Sequence, residues 1–251
     1  MIVLASILSV TLPLASLIDV FMISNMMVKS IVLIQFAIAI IATAIIIGKN
    51  KELASIVRNN KRFFREFIAG GDVLAFYLSR EEMTLTSLTL IYDRTCERTL
   101  KFLDPDTRRT VINRNQGGSE RAALAPTELE LIKSTCEHVV TEEEIRVEHG
   151  MGMLATIITT VPMLGLLGTV WGVLDAFASL GEKNTVPSLS VIAPDISSAL
   201  LTTVVGLLVA IPVAIFYNKL TIKVQQINND MEGFADELTG RIGCEFKGGE
   251  N

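Results

Sequence analysis

Threonine hydroxyls inside two long apolar stretches are the clearest candidates for chemistry in this sequence. Residues 151–174 and 197–218 contain no Asp, Glu, Lys or Arg, yet the first holds Thr169 and the second holds Thr202 and Thr203. A hydroxyl group donates and accepts hydrogen bonds, but it does not titrate near neutral pH. Ion pathways through membranes usually contain a carboxylate or a histidine. If protons cross here, the titrating group must therefore come from another chain.

Small residues accompany these hydroxyls at helical spacing. They are Gly165, Gly168 and Gly172 in the first stretch, and Ser198, Thr202 and Gly206 in the second. Steps of three and four residues place side chains on one helix face, where small residues let another backbone approach closely. We predict that the glycines pack helices together and that the two faces meet each other or a shared lumen. A membrane threonine often bonds back to its own helix, so spacing alone leaves a pore-lining role open.

The elements that carry these residues are predicted to be membrane-spanning helices. Half of the 251 residues are apolar, and the mean hydropathy is +0.47. Residues 30–48 form a third uncharged apolar stretch, with Gln35 as its only strongly polar member. Each stretch is close to the roughly 20 residues that a hydrocarbon core requires. The predicted fold class is an all-α integral membrane protein with three transmembrane helices, two of them long and extending into a cytoplasmic helical bundle.

Basic residues indicate how these helices are oriented. Six Lys and Arg residues lie at positions 49–65, and Lys219 and Lys223 follow the third stretch. Only Lys183 lies between the second and third stretches, and only Lys29 precedes the first. For a multi-pass protein of the bacterial inner membrane, the positive-inside rule then predicts a periplasmic N-terminus and a cytoplasmic C-terminus.

The chain divides into seven predicted segments. They are an N-terminal periplasmic or interfacial segment (1–29), transmembrane helix 1 (30–48), a cytoplasmic helical domain (49–150), transmembrane helix 2 (151–178), a short periplasmic loop (179–195), transmembrane helix 3 (196–218) and a cytoplasmic C-terminal helix and tail (219–251).

Within these segments, breakers and start signals predict where the helices begin and end. The pair Gly70-Gly71 breaks one helix, 104–126 reads as a loop, and a new helix starts near Thr127. No strong breaker follows before Ala176, which predicts one helix from Thr127 to Ala176 with a kink at Pro162. Residues 196–238 are also predicted to form one continuous helix.

Several sequence tracts resemble the TolQ/ExbB branch of the MotA/TolQ/ExbB family. They are Pro162 with 165–172 (GLLGTVWG) in the second stretch, and 193–196 (APDI), Ala199-Leu200, Thr203, Gly206-Leu207, 210–212 (AIP) and Tyr217-Asn218 in the third. The resemblance implies a homo-oligomer, expected to be a pentamer, around a central pore. That pore would hold the single transmembrane helices of two TolR/ExbD-like partners, and each partner would bring the aspartate that binds and releases the proton.

The same resemblance implies roles for individual residues and for the complex. Thr169 and Thr203 match the family's pore-lining threonines, and Thr202 and Ser198 lie beside this predicted proton pathway. The proton motive force would drive the complex to act on a periplasmic protein of the TonB or TolA type. The complex could serve either envelope integrity or nutrient uptake. The ion that flows could be either the proton or sodium.

One departure concerns acidic groups. The family's acidic residue early in the third span is Ser198 here, so Asp175 or Asp195 would have to substitute as an outer-entrance acid. An interfacial aspartate at a helix N-terminus is more often a cap. The N-terminal residues 1–17 and the 104–126 loop have no counterpart in the family's pattern.

Other function classes find little support in the sequence. Cys136 and His138 lack partners for a metal site, and no catalytic triad or HExxH motif is present. We predict no catalytic residues, no metal, no cofactor and no nucleic-acid partner. The alternatives are a non-conducting helical membrane scaffold and a flagellar-type stator subunit, of which the stator is disfavoured because that branch is expected to have four spans.

Overall fold

A computed structural model of the chain describes residues 20–22, 24–71, 73–79, 86–103, 124–182 and 189–246, and for 180–182 and 189–191 it describes the backbone alone. No β-strand occurs in these ranges. Six helices have their bounds within them: α1 (Met26–Ala69), α2 (Val73–Ser79), α3 (Ser87–Phe102), α4 (Pro126–Glu148), α5 (Met151–Glu182) and α6 (Leu189–Glu245). Residues 1–19 and 23 of the predicted N-terminal segment 1–29, and residues 104–123 of the predicted loop 104–126, lie outside the described residues.

The chain forms two compact units. The first comprises residues 1–48 and 150–219, and the second comprises residues 49–149 and 220–251. Three stretches of the described helices are long and apolar enough to cross a membrane, and they lie in Met26–Ala69, Pro126–Ser179 and Ile192–Glu245. The prediction of an all-helical chain with three such helices is therefore confirmed.

Two glycines end helices by adopting a positive φ angle. Gly71 has φ 71° just after α1, and Gly150 has φ 86° between α4 and α5. Only glycine adopts this left-handed region at little cost. The predicted break at Gly70-Gly71 is confirmed, whereas the prediction of one helix from Thr127 to Ala176 is wrong. A lone glycine in a periodic pattern does not reveal whether its φ will be negative or positive, so the break at Gly150 escapes the sequence reading.

The start of α4 and the continuity of α6 follow the sequence closely. Pro126 occupies the first turn of α4, and the Glu128 carboxylate accepts the Ala125 backbone N–H at 2.8 Å. The predicted start near Thr127 is therefore confirmed. Helix α6 contains all of 196–238 without a break, although Pro194 and Pro212 lie inside it. Residues 179–182 and 189–195, which were predicted to be loop, are helical.

An aromatic cluster forms the core of the second unit. The ring centroids of Phe63 and Tyr92 lie 5.6 Å apart, and those of Phe67 and Phe234 lie 5.1 Å apart. These edge-on arrangements are favourable for aromatic pairs. The fully buried Tyr92 also donates its hydroxyl to the Val73 carbonyl at 2.5 Å. The cluster thus joins residues of α1, α3 and α6 and fastens the start of α2 to α3.

Acidic groups and a thiol in the second unit have shifted pKa values. The pKa of Glu144 is raised, first by burial and then by the nearby carboxylates of Glu232 and Glu148. Burial also raises the pKa of the Cys136 thiol, whereas Cys244 is exposed. Partial or full burial disfavours the charged form of each group, and for Glu144 the neighbouring carboxylates add like-charge repulsion.

Candidate functional site

Glycines of α5 lie directly against the backbone of α6 in the first unit. A Cβ atom added to Gly165 would lie 2.8 Å from the Thr202 carbonyl oxygen, and one added to Gly168 would lie 2.7 Å from the Thr202 Cβ. At Gly172 it would lie 2.5 Å from the Cβ of Ala199. These separations are too short for any side chain, so only glycine permits the contact. We call this contact the α5–α6 seam.

Helix α6 contributes a glycine to a neighbouring contact. A Cβ atom added to Gly206 would lie 3.0 Å from the Val161 carbonyl oxygen of α5 and 3.0 Å from Nε2 of Gln35. The small-residue faces of α5 and α6 thus lie against each other, and a side chain of α1 reaches the same place.

The hydroxyl of Thr202 lies inside the seam. Thr202 is fully buried, and its Oγ1 lies 2.8 Å from the Gly165 carbonyl oxygen and 2.7 Å from that of Ala199. The single hydroxyl proton is donated to one of these carbonyls at a time. Such a buried group fits helix packing rather than the pore lining that the sequence suggested for Thr202.

Thr203, the next residue, is only partly buried. Its Oγ1 donates to the Gly165 carbonyl at 3.1 Å. One carbonyl of α5 therefore faces the hydroxyls of both threonines, and the 100° turn between adjacent helix residues separates a fully buried side chain from a partly exposed one.

Thr169 is partly exposed as well, but it bonds within its own helix. Its Oγ1 donates to the Leu166 carbonyl at 2.7 Å. This is the back-bonding that a membrane threonine commonly adopts. The oxygen lone pairs stay available to accept a hydrogen bond from a donor outside the subunit.

The predicted outer-entrance residues Asp175 and Asp195, together with Ser198, lie within helices rather than at helix caps. Asp195 lies seven residues into α6, where its backbone carbonyl accepts the Ser198 hydroxyl at 2.9 Å. Asp175 lies inside α5, and its carboxylate accepts a hydrogen bond from the Asn25 side chain. The expectation that these aspartates cap helices is therefore wrong, because both helices extend beyond the predicted spans. Ser198 is buried, with 3% of its surface exposed.

Gln35 was not among the site residues predicted from the sequence. Its side chain is fully buried, and its Nε2 donates to the Thr202 carbonyl at 3.1 Å and to the Val161 carbonyl at 3.4 Å. Its position as the only strongly polar residue of 30–48 was the available signal. A buried polar group in a transmembrane helix generally has a partner on another helix.

The outer faces of these helices remain apolar and exposed. On α5, Leu166 and Val170 expose 60% and 61% of their surfaces, and on α6, Leu208 exposes 62%. Faces of this kind suit lipid or the apolar surface of another helix. Within the described ranges, no group of three or more His, Cys, Asp or Glu side chains is arranged to hold a metal ion.

Comparisons with known proteins agree on one family. The sequence pattern of the MotA/TolQ/ExbB proton channel family matches residues 111–233. The chain is 31% identical over 227 residues to a Tol-Pal system protein TolQ of Haemophilus influenzae, which covers 88% of this chain and 91% of that protein.

Proteins with the second family name are similar as well. A biopolymer transport protein ExbB of Pseudomonas putida is 34% identical over 193 residues, covering 76% of this chain and 53% of that protein. An ExbB of Neisseria gonorrhoeae is 37% identical over 97 residues, covering 39% of this chain and 44% of that protein.

Proposed function

Since this chain belongs to the MotA/TolQ/ExbB proton channel family, we propose that it is the channel subunit of an inner-membrane complex driven by the proton motive force. The complex would pass energy to the periplasm and the outer membrane, as TolQ–TolR and ExbB–ExbD complexes do. The observation that carries this proposal is a set of three apolar helices with hydroxyl groups but no acid or base in their central stretches.

The missing acid defines the partner. Residues 30–48, 151–174 and 197–218 contain no Asp, Glu, Lys, Arg or His. A proton crossing the hydrocarbon region needs a group that binds and releases it. We infer a homo-oligomer, a pentamer by analogy with the family, that surrounds the single spans of two TolR/ExbD-like chains, each bringing an aspartate. The N-terminus would be periplasmic, and the second unit with the C-terminal tail would be cytoplasmic.

Thr169 and Thr203 are the subunit's proposed contribution to the proton pathway. Both are partly exposed in the single chain, and both keep oxygen lone pairs that accept a hydrogen bond from a protonated carboxyl group or from water. Thr202 is assigned to packing because its hydroxyl is enclosed by the α5–α6 seam. A charge that crosses 100 mV releases about 2.3 kcal/mol, so a few protons supply enough energy to move one element against another.

The test compares Thr→Val variants in the complex of this chain with its single-span partner. Thr203→Val and Thr169→Val keep the side-chain shape and remove the hydroxyl. We expect the complex to assemble and proton uptake into proteoliposomes, followed with a pH-sensitive dye, to fall at least about tenfold, the factor that corresponds to 1.4 kcal/mol. The matched control is Thr43→Val, because the exposed Thr43 donates only to Ala39 of its own helix, at 2.8 Å.

The same experiment distinguishes the channel from a non-conducting scaffold. A scaffold needs its glycine contacts but not the hydroxyls, so both threonine variants would then retain full output. Wild-type proton uptake in Thr169→Val and Thr203→Val would refute the channel role. A robust proton current through the purified subunit alone would refute the inference that a second chain supplies the acid.

A further inference from the structure

Gln35 occupies a niche that two glycines leave open on neighbouring helices. In an α-helix, each side chain leans toward the preceding turn, so the side chain at position i+4 covers the carbonyl of residue i. Gly165 and Gly206 each lie four residues after one of the two carbonyls that accept the Gln35 side chain, those of Val161 and Thr202. Both carbonyls are therefore left open to a donor from α1.

The niche also limits what can occupy it. A Cβ atom on Gly165 would lie 3.3 Å from the Gln35 Nε2, and one on Gly206 would lie 3.0 Å from it. A larger residue at either position would force the carboxamide out. The two NH protons of Gln35 match the two carbonyls, so one side chain ties α1 to α5 and α6 at the same level.

Stability alone does not account for a glutamine at this position. The Gln35 Oε1 is buried and has no hydrogen-bond partner among the described residues. A buried acceptor without a donor destabilises the folded state. The two carbonyls lie inside helices, where backbone bonding does not depend on Gln35. An apolar side chain of equal length would thus fill the same space without the unpaired oxygen.

The bond to Thr202 gives Gln35 a direct connection to the proposed pathway. The Thr202 carbonyl belongs to the peptide group that joins Thr202 to Thr203. The hydrogen bond from Gln35 to this carbonyl therefore restrains the rotation of α6 about its own axis at Thr203. Gln35 also binds the Val161 carbonyl of α5. The Gly165 carbonyl, which accepts the Thr203 hydroxyl at 3.1 Å, lies one helical turn after Val161.

We propose that Gln35 is a positioning residue, which clasps the niche between Gly165 and Gly206 and thereby sets the direction in which Thr203 faces. This inference rests on the proposed role of Thr203 in the proton pathway. Gln35 itself touches neither the proton nor the partner's acid, because its side chain is enclosed within the subunit.

The test measures the exposure of position 203 to water. Thr203→Cys is introduced into the full-length chain, reconstituted in lipid vesicles with its partner, and labelled with a water-soluble thiol reagent. The exposed native Cys244 serves as the internal reference, since Cys96 and Cys136 are buried. Peptide mass spectrometry then gives the labelling rate at position 203 relative to that at Cys244.

Gln35→Met removes both hydrogen bonds and keeps the side-chain length. We expect it to change the relative labelling rate at position 203 about fivefold, which corresponds to the roughly 1 kcal/mol that one net hydrogen bond contributes. Gln35→Glu, whose neutral carboxyl group keeps one donor, should give a smaller change. Thr43→Val, which removes a hydroxyl bonded only within α1, should leave the rate within twofold.

Each outcome decides a different point. If position 203 is labelled in the Thr203→Cys protein and reacts at the same relative rate once Gln35→Met is added, the result would overturn the positioning role and leave the proposed channel function standing. If position 203 is labelled in Gln35→Met but not in the protein with Gln35, the result would support the positioning role of Gln35 and contradict a water-facing Thr203. No labelling at position 203 in either protein would overturn both. An altered Cys244 rate would show a general change of fold and would overturn the specific role of Gln35.

Discussion

The tight contact of Gly168 with Thr202 predicts a large effect from a single added methyl group. Gly168→Ala adds a Cβ atom that would lie 2.7 Å from both Cβ and Cγ2 of Thr202. Carbon atoms in ordinary contact are about 3.5–4.0 Å apart. Helices α5 and α6 must therefore separate locally by about 1 Å, or the Thr202 side chain must rotate away.

The structure allows the free-energy cost to be worked out. Overpacking a well-fitted contact by one methyl group costs about 1–3 kcal/mol. Separation of the helices also lengthens the 2.8 Å bond from Thr202 to the Gly165 carbonyl, and interhelical bonds in membranes are worth about 0.6 kcal/mol on average. We expect Gly168→Ala to lower the free energy of unfolding by about 1.6–3.6 kcal/mol, the sum of these terms.

Gly152→Ala is the matched control, because it makes the same change on the same helix. No heavy atom lies within 4 Å of the Cβ that it would add, so its effect should stay within about 0.5 kcal/mol, as for most surface substitutions. Unfolding by SDS in mixed micelles, followed by circular dichroism, gives both values. Equal unfolding midpoints for the two variants would refute the close contact of α5 and α6.

The second unit supplies two further predictions. Tyr92→Phe removes the 2.5 Å bond to the Val73 carbonyl and should cost about 1 kcal/mol of unfolding free energy; an unchanged melting temperature would contradict this. The pKa of Glu144 is raised by burial and by Glu232 and Glu148. Its ionisation is therefore less favourable in the folded than in the unfolded chain, and the stability of the fold falls as pH rises through that pKa. Glu144→Gln should therefore be more stable than wild type at neutral pH, by about 0.5 kcal/mol as for a like-charge helix pair. The difference should vanish at about pH 3, well below the usual glutamate pKa. The same gain at both pH values would show that the charge is not its cause.

The helices and their small-residue faces could be read from the sequence because they follow from local periodicity. Uncharged runs of sufficient length fix three apolar helices, and steps of three and four residues place Gly165, Gly168 and Gly172 on one face. The two units divide within one residue of the ends of the apolar runs, at Gly48, Gly150 and Lys219. The orientation of the chain in the membrane and its pore-lining residues stay predictions.

The features that escaped the sequence depend on backbone angles and on other helices. The positive φ of Gly150 is what separates α4 from α5, and nothing in the surrounding periodicity distinguishes it from a glycine within a helix, such as Gly152. Thr202 and Thr203 are adjacent residues of one type, so only the packed structure shows which one is enclosed. The partners of Gln35 are backbone carbonyls, which every residue possesses, so the sequence contains no sign of where its side chain binds.

The two neighbouring threonines of α6 differ in burial, which the sequence alone does not reveal. Both hydroxyls reach the carbonyl of Gly165, and a glycine at that position is what allows α6 to approach so closely. Thr202 is fully buried and bonds across the contact, whereas Thr203, which bonds to the same carbonyl, is only partly buried. In the proposed proton pathway, a hydroxyl held in this way would orient a proton-binding group but would not replace it, because its own proton does not dissociate near neutral pH. The α5–α6 seam therefore accounts for the enclosed Thr202, whereas the absence of an acid from the three apolar stretches is what leads us to propose that the subunit conducts only together with a chain that has one.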